Sequence, residues 1–191
     1  MEDNTIEEKK MCDAMAVANY FIKRANEEGV DLTILKLLKL CFLAHGYCLA
    51  IVRRSFLNRR YDTVEAWKYG PVIPSIYHSF KHWGAKSIKE RGVVITSATE
   101  NDEPTVVCPV LDETDTDLKV VIDYIWQRFS WWDAFDLVDL LHAKNSPWAV
   151  YYRVGENKEI PDEYIQQYYI RFISLLLAKR RREKMEAKKN E

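Results

Sequence analysis

The run Leu35-Lys36-Leu37-Leu38-Lys39-Leu40-Cys41-Phe42-Leu43-Ala44-His45-Gly46-Tyr47-Cys48-Leu49-Ala50-Ile51-Val52 decides the fold class. At 3.6 residues per turn its leucines and aromatics fall on nearly every side of a helix, and Lys36 and Lys39 leave the only obvious polar edge. Asp31 or Thr33 can cap its start. The most apolar part, Leu40 to Val52, is thirteen residues with His45 inside it, short of the ~20 that a membrane span requires. Such a segment is expected at the centre of a helical core, and no membrane partner is expected. Cys41 and Cys48 share a face about 10 Å apart by the helical rise, too far for a disulfide, so packed thiols are expected.

Upstream, Ala18, Phe21, Ile22 and Ala25 line one face of a helix over 13–28, and Gly29 stands where a left-handed C-terminal residue is wanted. Downstream, Val64 to Trp67 reads as a short strand leading to a Tyr69-Gly70-Pro71 turn, and Pro74 suits the first turn of a helix that Gly84 ends. Val93 to Ala98 and Thr105 to Val110 are β-branched runs around the polar segment Thr99 to Pro104, which predicts a hairpin. Beyond Asp115, Leu118, Val121, Ile122, Ile125 and Phe129 keep helical spacing; Ser130 and Asp133 can start a further helix, Pro147 interrupts, and Pro161 opens the last one. The expected fold is mainly α, a compact bundle of about six helices with a small antiparallel β element. Residues 1–12 are expected to be a flexible N-terminus, 13–178 the helical domain, and 179–191 a basic tail or helix extension.

Composition excludes several classes. With 191 residues, 48% hydrophobic, and 24 aromatics (six Trp, eleven Tyr, seven Phe), the chain can bury a real core. Six glycines, no two closer than eight residues, remove dinucleotide fingerprints, P-loops and nucleophile elbows. There is no His-Glu pair for a zincin helix and no C-x-x-C pair. Residues 179–191 carry seven Lys/Arg against three Glu, a local +4 that leaves the first 178 residues at −5 within the net −1. Met1-Glu2-Asp3-Asn4 lacks the basic and apolar regions of a signal peptide, so a cytoplasmic location is expected.

Candidate chemistry is sparse. His78 and His82 stand i, i+4, and Cys41, His45 and Cys48 stand i, i+4, i+7, spacings that can aim ligands together. Two ligands do not close a tetrahedral site, and the three-residue set lies in an apolar helix, so no metal or other cofactor is assigned. Asp133, Asp136 and Asp139 drift along one helical edge and read as a solvated face. No catalytic residue is assigned and no enzymatic activity is expected. The basic stretch Lys179 to Lys184 can contact phosphates or an acidic protein; an acidic body and no interleaved aromatics disfavour nucleic acid. The densest segment is Glu65-Ala66-Trp67-Lys68-Tyr69-Gly70-Pro71-Val72-Ile73-Pro74, a rigid turn whose Trp67 and Tyr69 serve either as a recognition surface or as plugs of the core.

In order and spacing, four blocks resemble the Panacea domain, the family of SocA-like antitoxins and phage-associated GepA-like proteins. They are Val17-Ala18-Asn19-Tyr20-Phe21-Ile22, Leu35 to Leu40 with Ala44-His45-Gly46-Tyr47, Glu65 to Val72 with Tyr77, and His142 with Ser146-Pro147-Trp148. The resemblance covers Ala16 to Trp148 and, more loosely, reaches Tyr169. Cys41 and Cys48 stand where the family usually has larger side chains, and Val93 to Leu111 matches no motif, which marks that segment as a candidate specificity element.

The resemblance implies a helical antitoxin that neutralises a cognate protein toxin, encoded by a neighbouring gene, by direct binding. Two alternatives stand beside it: a proteolytic adaptor delivering the toxin to an ATP-dependent protease, and a DNA-binding regulator using the basic tail. The family motif residues Trp67, Gly70, Pro71, Val72, His142, Pro147 and Trp148 are expected to be mainly structural. Lys68, Tyr69, Tyr77 and Arg182 are the expected partner contacts. The sequence specifies neither the toxin nor the oligomeric state.

Overall fold

A computed structural model of the chain describes residues 6–58, 60–96 and 103–187. Met1 to Asn4, most of the polar loop expected at Thr99 to Pro104, and the last four residues of the basic tail lie outside the described residues. Among those described, the fold is mainly helical, with seven α-helices and two small three-stranded sheets. Helix α1 (Ala14–Glu28) starts where Asp13 accepts a hydrogen bond from the Ala16 N–H at 2.7 Å and stops at Gly29, whose φ of 69° is the expected left-handed turn.

Helix α2 (Ile34–Ile51), capped by Thr33, is the axis of the fold. Its 18 residues have a mean hydropathy of 1.7, long and apolar enough to cross a membrane, yet 15 of them are buried inside the protein. It is covered by α1, α4 (Thr116–Phe129), α5 (Ala134–Leu141) and α7 (Asp162–Ala187). Lys36 and Lys39 do not form a polar edge: they are 8% and 0% exposed. With neighbours on all sides, α2 has no solvent face on which to place them.

α7 crosses α2 at Gly46, where a Cβ would overlap the Tyr169 ring, and His45 Nε2 meets Asp162 Oδ1 at 2.8 Å in the core. Beyond Ile173 the helix leaves the body, and every residue from Ser174 to Ala187 except Leu176 is exposed. The first part of the basic tail is thus a helix extension.

One sheet has the order β1 (Glu7–Lys10), β5 (Thr105–Val110), β4 (Val94–Thr96). The β4–β5 hairpin matches expectation, whereas residues 7–10, expected to be flexible, form a strand parallel to β5. All four residues of β1 are exposed and charged, so backbone pairing holds them rather than any hydrophobic alternation. Asn19 of α1 fixes this sheet to the bundle: its Nδ2 donates to Gly92 O (2.8 Å) and Pro109 O (2.9 Å), and its Oδ1 accepts from Gly92 N–H (2.7 Å).

The second sheet is antiparallel, in the order β3 (Gly70–Val72), β2 (Glu65–Trp67), β6 (Lys158–Glu159). Helix α3 (Pro74–Phe80) follows it with proline in the first turn; a 3₁₀ turn over Lys81–Trp83 then ends at Gly84. Two boundaries differ from expectation. Ser130 closes α4 through its N–H on Trp126 O, and Asp133 alone caps α5, accepting from Phe135 N–H at 2.7 Å. Pro147 does not interrupt a helix but opens a short one, α6 (Pro147–Tyr151), with Ser146 Oγ accepting from Ala149 N–H.

Candidate functional site

The β2–β3 hairpin gathers the densest part of the sequence. Trp67 pairs with Gly70, leaving Lys68 and Tyr69 as the turn. Gly70 has φ 104°, a conformation that L side chains rarely adopt. There is also no space for a side chain: a Cβ would lie 2.8 Å from Lys39 Nζ and 3.4 Å from His142 Nε2.

Directly beneath the hairpin, Lys39 Nζ donates to the Pro71 carbonyl at 3.0 Å. Burial disfavours its ammonium and brings the pKa down from 10.5 to about 7. His142, at the end of α5, faces the same point. Its Nε2 is buried with no hydrogen-bond partner among the described residues, and burial followed by the Lys39 charge lowers its pKa.

Aromatic rings close the site. His142 stacks on Trp148 at 3.5 Å between centroids and 6° between planes, and Trp148 stacks in turn on Tyr152 at 4.7 Å. Trp148 Nε1 donates to the Trp67 carbonyl at 2.7 Å. The Trp67 ring packs edge-on to Tyr77 (4.8 Å), and its own Nε1 donates to Glu65 Oε2 (2.8 Å). Pro71 and Val72 are buried, as is Pro147, which sets the start of the helix carrying Trp148. The residues Trp67, Gly70, Pro71, Val72, His142, Pro147 and Trp148, spread over more than seventy positions, therefore meet in one place.

The hairpin tip faces solvent. Lys68 is exposed, Tyr69 is 57% exposed, and the Lys68 ammonium lies 5.1 Å from the centre of the Tyr69 ring. Tyr77 is half-buried against Trp67 beside them. Arg182 is exposed on a different element, the extension of α7. Three of the four expected contacts thus derive from one hairpin and the helix that follows it.

The metal-like spacings resolve otherwise. Cys41, His45 and Cys48 are in the core; burial raises both thiols, Cys48 to about 12, so they hold their protons, while His45 Nε2 is engaged by Asp162. His78 lies on α3, but His82 is on the 3₁₀ turn, so they do not share one helix. Among the described residues no group of three or more His, Cys, Asp or Glu can hold a metal ion. Asp133, Asp136 and Asp139 are exposed, as expected. Sequence reading missed Lys39 as a member of the site, although a second lysine in an otherwise apolar helix is a signal in itself. It also missed Tyr152, which carries none, and took Glu65 only as the start of the densest segment.

The family description "Antitoxin SocA-like, Panacea domain" matches residues 37–149, which begin beside Lys39 and end just after Trp148. This chain belongs to the SocA-like Panacea-domain family. It is 33% identical over 140 residues to Antitoxin SocA of Caulobacter vibrioides (strain NA1000 / CB15N), covering 72% of this chain and 69% of that protein. No solved structure matches. The converging motif lies within the matched span, and its inward-facing atoms are occupied mainly with one another.

Proposed function

We propose that this Panacea-domain protein is an antitoxin that neutralises a cognate protein toxin, encoded by a neighbouring gene, through direct binding in the cytoplasm. The observation that supports the reading is the exposed Lys68–Tyr69 pair on a hairpin anchored from below by Lys39, His142 and the two motif tryptophans. A preshaped tip loses little conformational entropy on association, and Tyr with a cation above its ring is a common anchor of protein interfaces. Lys68, Tyr69 and Tyr77 form one contact patch in this reading, and Arg182 adds a cationic contact from α7. Binding alone occludes the toxin, so no bond-making step is needed.

The test is to express the adjacent open reading frame alone and with this protein, and to follow growth together with the half-life of the neighbour's product. Toxicity, rescue by co-expression, a stable complex and an unchanged half-life are the expected results. A neighbour that is harmless alone, or rescue that requires its accelerated decay, would remove direct neutralisation.

A further inference from the structure

Two exposed surfaces on this chain complement each other. On α5 and the turn before it, Trp131 is 72% and Phe135 64% exposed, and they stand with the exposed carboxylates of Asp133, Asp136 and Asp139. Large aromatics left in water beside like charges are unusual for a surface with no partner. On the extension of α7, Leu175 is 66% exposed and shares a helical face with the exposed Lys179 and Arg182 at i+4 and i+7. The acidic apolar face has a basic apolar counterpart in the same sequence.

The two surfaces adjoin. Leu140 borders the shallow groove of Trp131, Trp132, Asp136 and Asp139, and also the cleft reached by Tyr168 and Phe172 of α7. Just beyond, Arg171 and Leu175 line the next groove along α7. A continuous patch that is acidic at one end and basic at the other is self-complementary under a two-fold rotation, as an interface between identical subunits must be. We propose that this face binds a second copy of the chain, the α7 extension of each protomer lying across the Trp131/Phe135/Asp136/Asp139 surface of the other. The inference is independent of the toxin reading at the Lys68–Tyr69 tip and shares only Arg182 with it. Two-fold symmetry forms every contact twice, which helps such a pair of patches approach the ~1,600 Å² typical of stable complexes.

The experiment uses the full chain and light scattering after size-exclusion chromatography at tens of micromolar. Wild type is expected to run at twice the chain mass. Asp136→Lys/Asp139→Lys and Lys179→Glu/Arg182→Glu should each halve that mass while keeping the wild-type circular dichroism spectrum, since all four side chains are exposed. In a two-fold pair, mixing the two variants sets Lys against Glu on one side and restores Asp against Arg on the other, so the equimolar mixture should return to dimer mass. A monomeric wild type, charge-reversed variants that stay dimeric, or a mixture that stays monomeric would each overturn the proposal. So would a monomer whose α7 extension proves instead to bind duplex DNA.

Discussion

Trp148 Nε1 donates a 2.7 Å hydrogen bond to the carbonyl oxygen of Trp67, 81 residues earlier in the chain. It joins the third and fourth blocks of the family motif, and Trp148 simultaneously covers His142. Trp148→Phe retains a ring to stack but no donor for the Trp67 carbonyl. Urea unfolding should register a loss of about 1–3 kcal/mol, with Trp148→Ala losing more as the stack disappears. Unchanged stability of the Phe variant would mean that the bond does not tie the blocks together.

Gly70→Ala adds a Cβ 2.8 Å from Lys39 Nζ at a backbone φ of 104°. Gly155 also has positive φ, 80°, but with nothing within 4 Å of its would-be Cβ. Both substitutions carry backbone strain of about 1–3 kcal/mol, and only the first adds a clash. Thermal melts of the two variants should therefore separate, with Gly70→Ala the lower; coincident melts would argue against a crowded site.

Lys39 makes stability depend on pH. Its folded pKa of about 7 lies below the ordinary 10.5, so between those values the unfolded chain binds more protons than the folded one. Unfolding free energy should rise with pH across that window, and the penalty for the buried charge is full below pH 7. Lys39→Met lacks this proton, so its stability curve should be flatter from pH 7 to 10. Parallel curves from urea titrations at each pH would show that Lys39 is not desolvated.

Lys68→Glu and Tyr69→Ala alter exposed side chains and should leave stability within about 0.5 kcal/mol of wild type. In the proposed function they should weaken rescue when co-expressed with the neighbouring gene. Full rescue by the double variant would move the toxin contact elsewhere.

Cys12 is exposed, whereas Cys41, Cys48 and Cys108 are buried as free thiols. A colorimetric thiol reagent should titrate one cysteine rapidly in the native protein and four in denaturant. Rapid reaction of two would mean that β5 or the core around α2 opens readily, and of three or more that the α2 core does.

Much of this was legible in the sequence, for identifiable reasons. Caps and periodic faces placed α1, α2 and α4, because Asp13, Thr33 and Asp115 each precede an apolar helical repeat. Two prolines and a glycine in ten residues placed a turn at Tyr69-Gly70-Pro71, but the turn falls at Lys68–Tyr69 and Gly70–Val72 pairs with β2 as a strand, a pairing that only the long-range fold reveals. Lys39 was misread because charge usually marks a solvent face, and local sequence does not reveal that the hairpin carbonyl of Pro71 comes to meet it. β1 and β6 escaped notice because their four and two residues are charged and polar; their strand character comes from partners, β5 and β2, that are distant in the chain. The motif residues were recognisable as a set, but their convergence depended on how α5 and α6 return to the hairpin.

The central position of α2 has a consequence during synthesis. Its last residue is Ile51, yet the Tyr169 ring that packs against Gly46 is made more than a hundred residues later. At ribosomal speeds that interval is on the order of ten seconds. Until α4, α5 and α7 emerge, only α1 among its covering helices is available to this helix, which is apolar enough to be taken for a membrane anchor and makes the nascent chain a natural client for holdase chaperones.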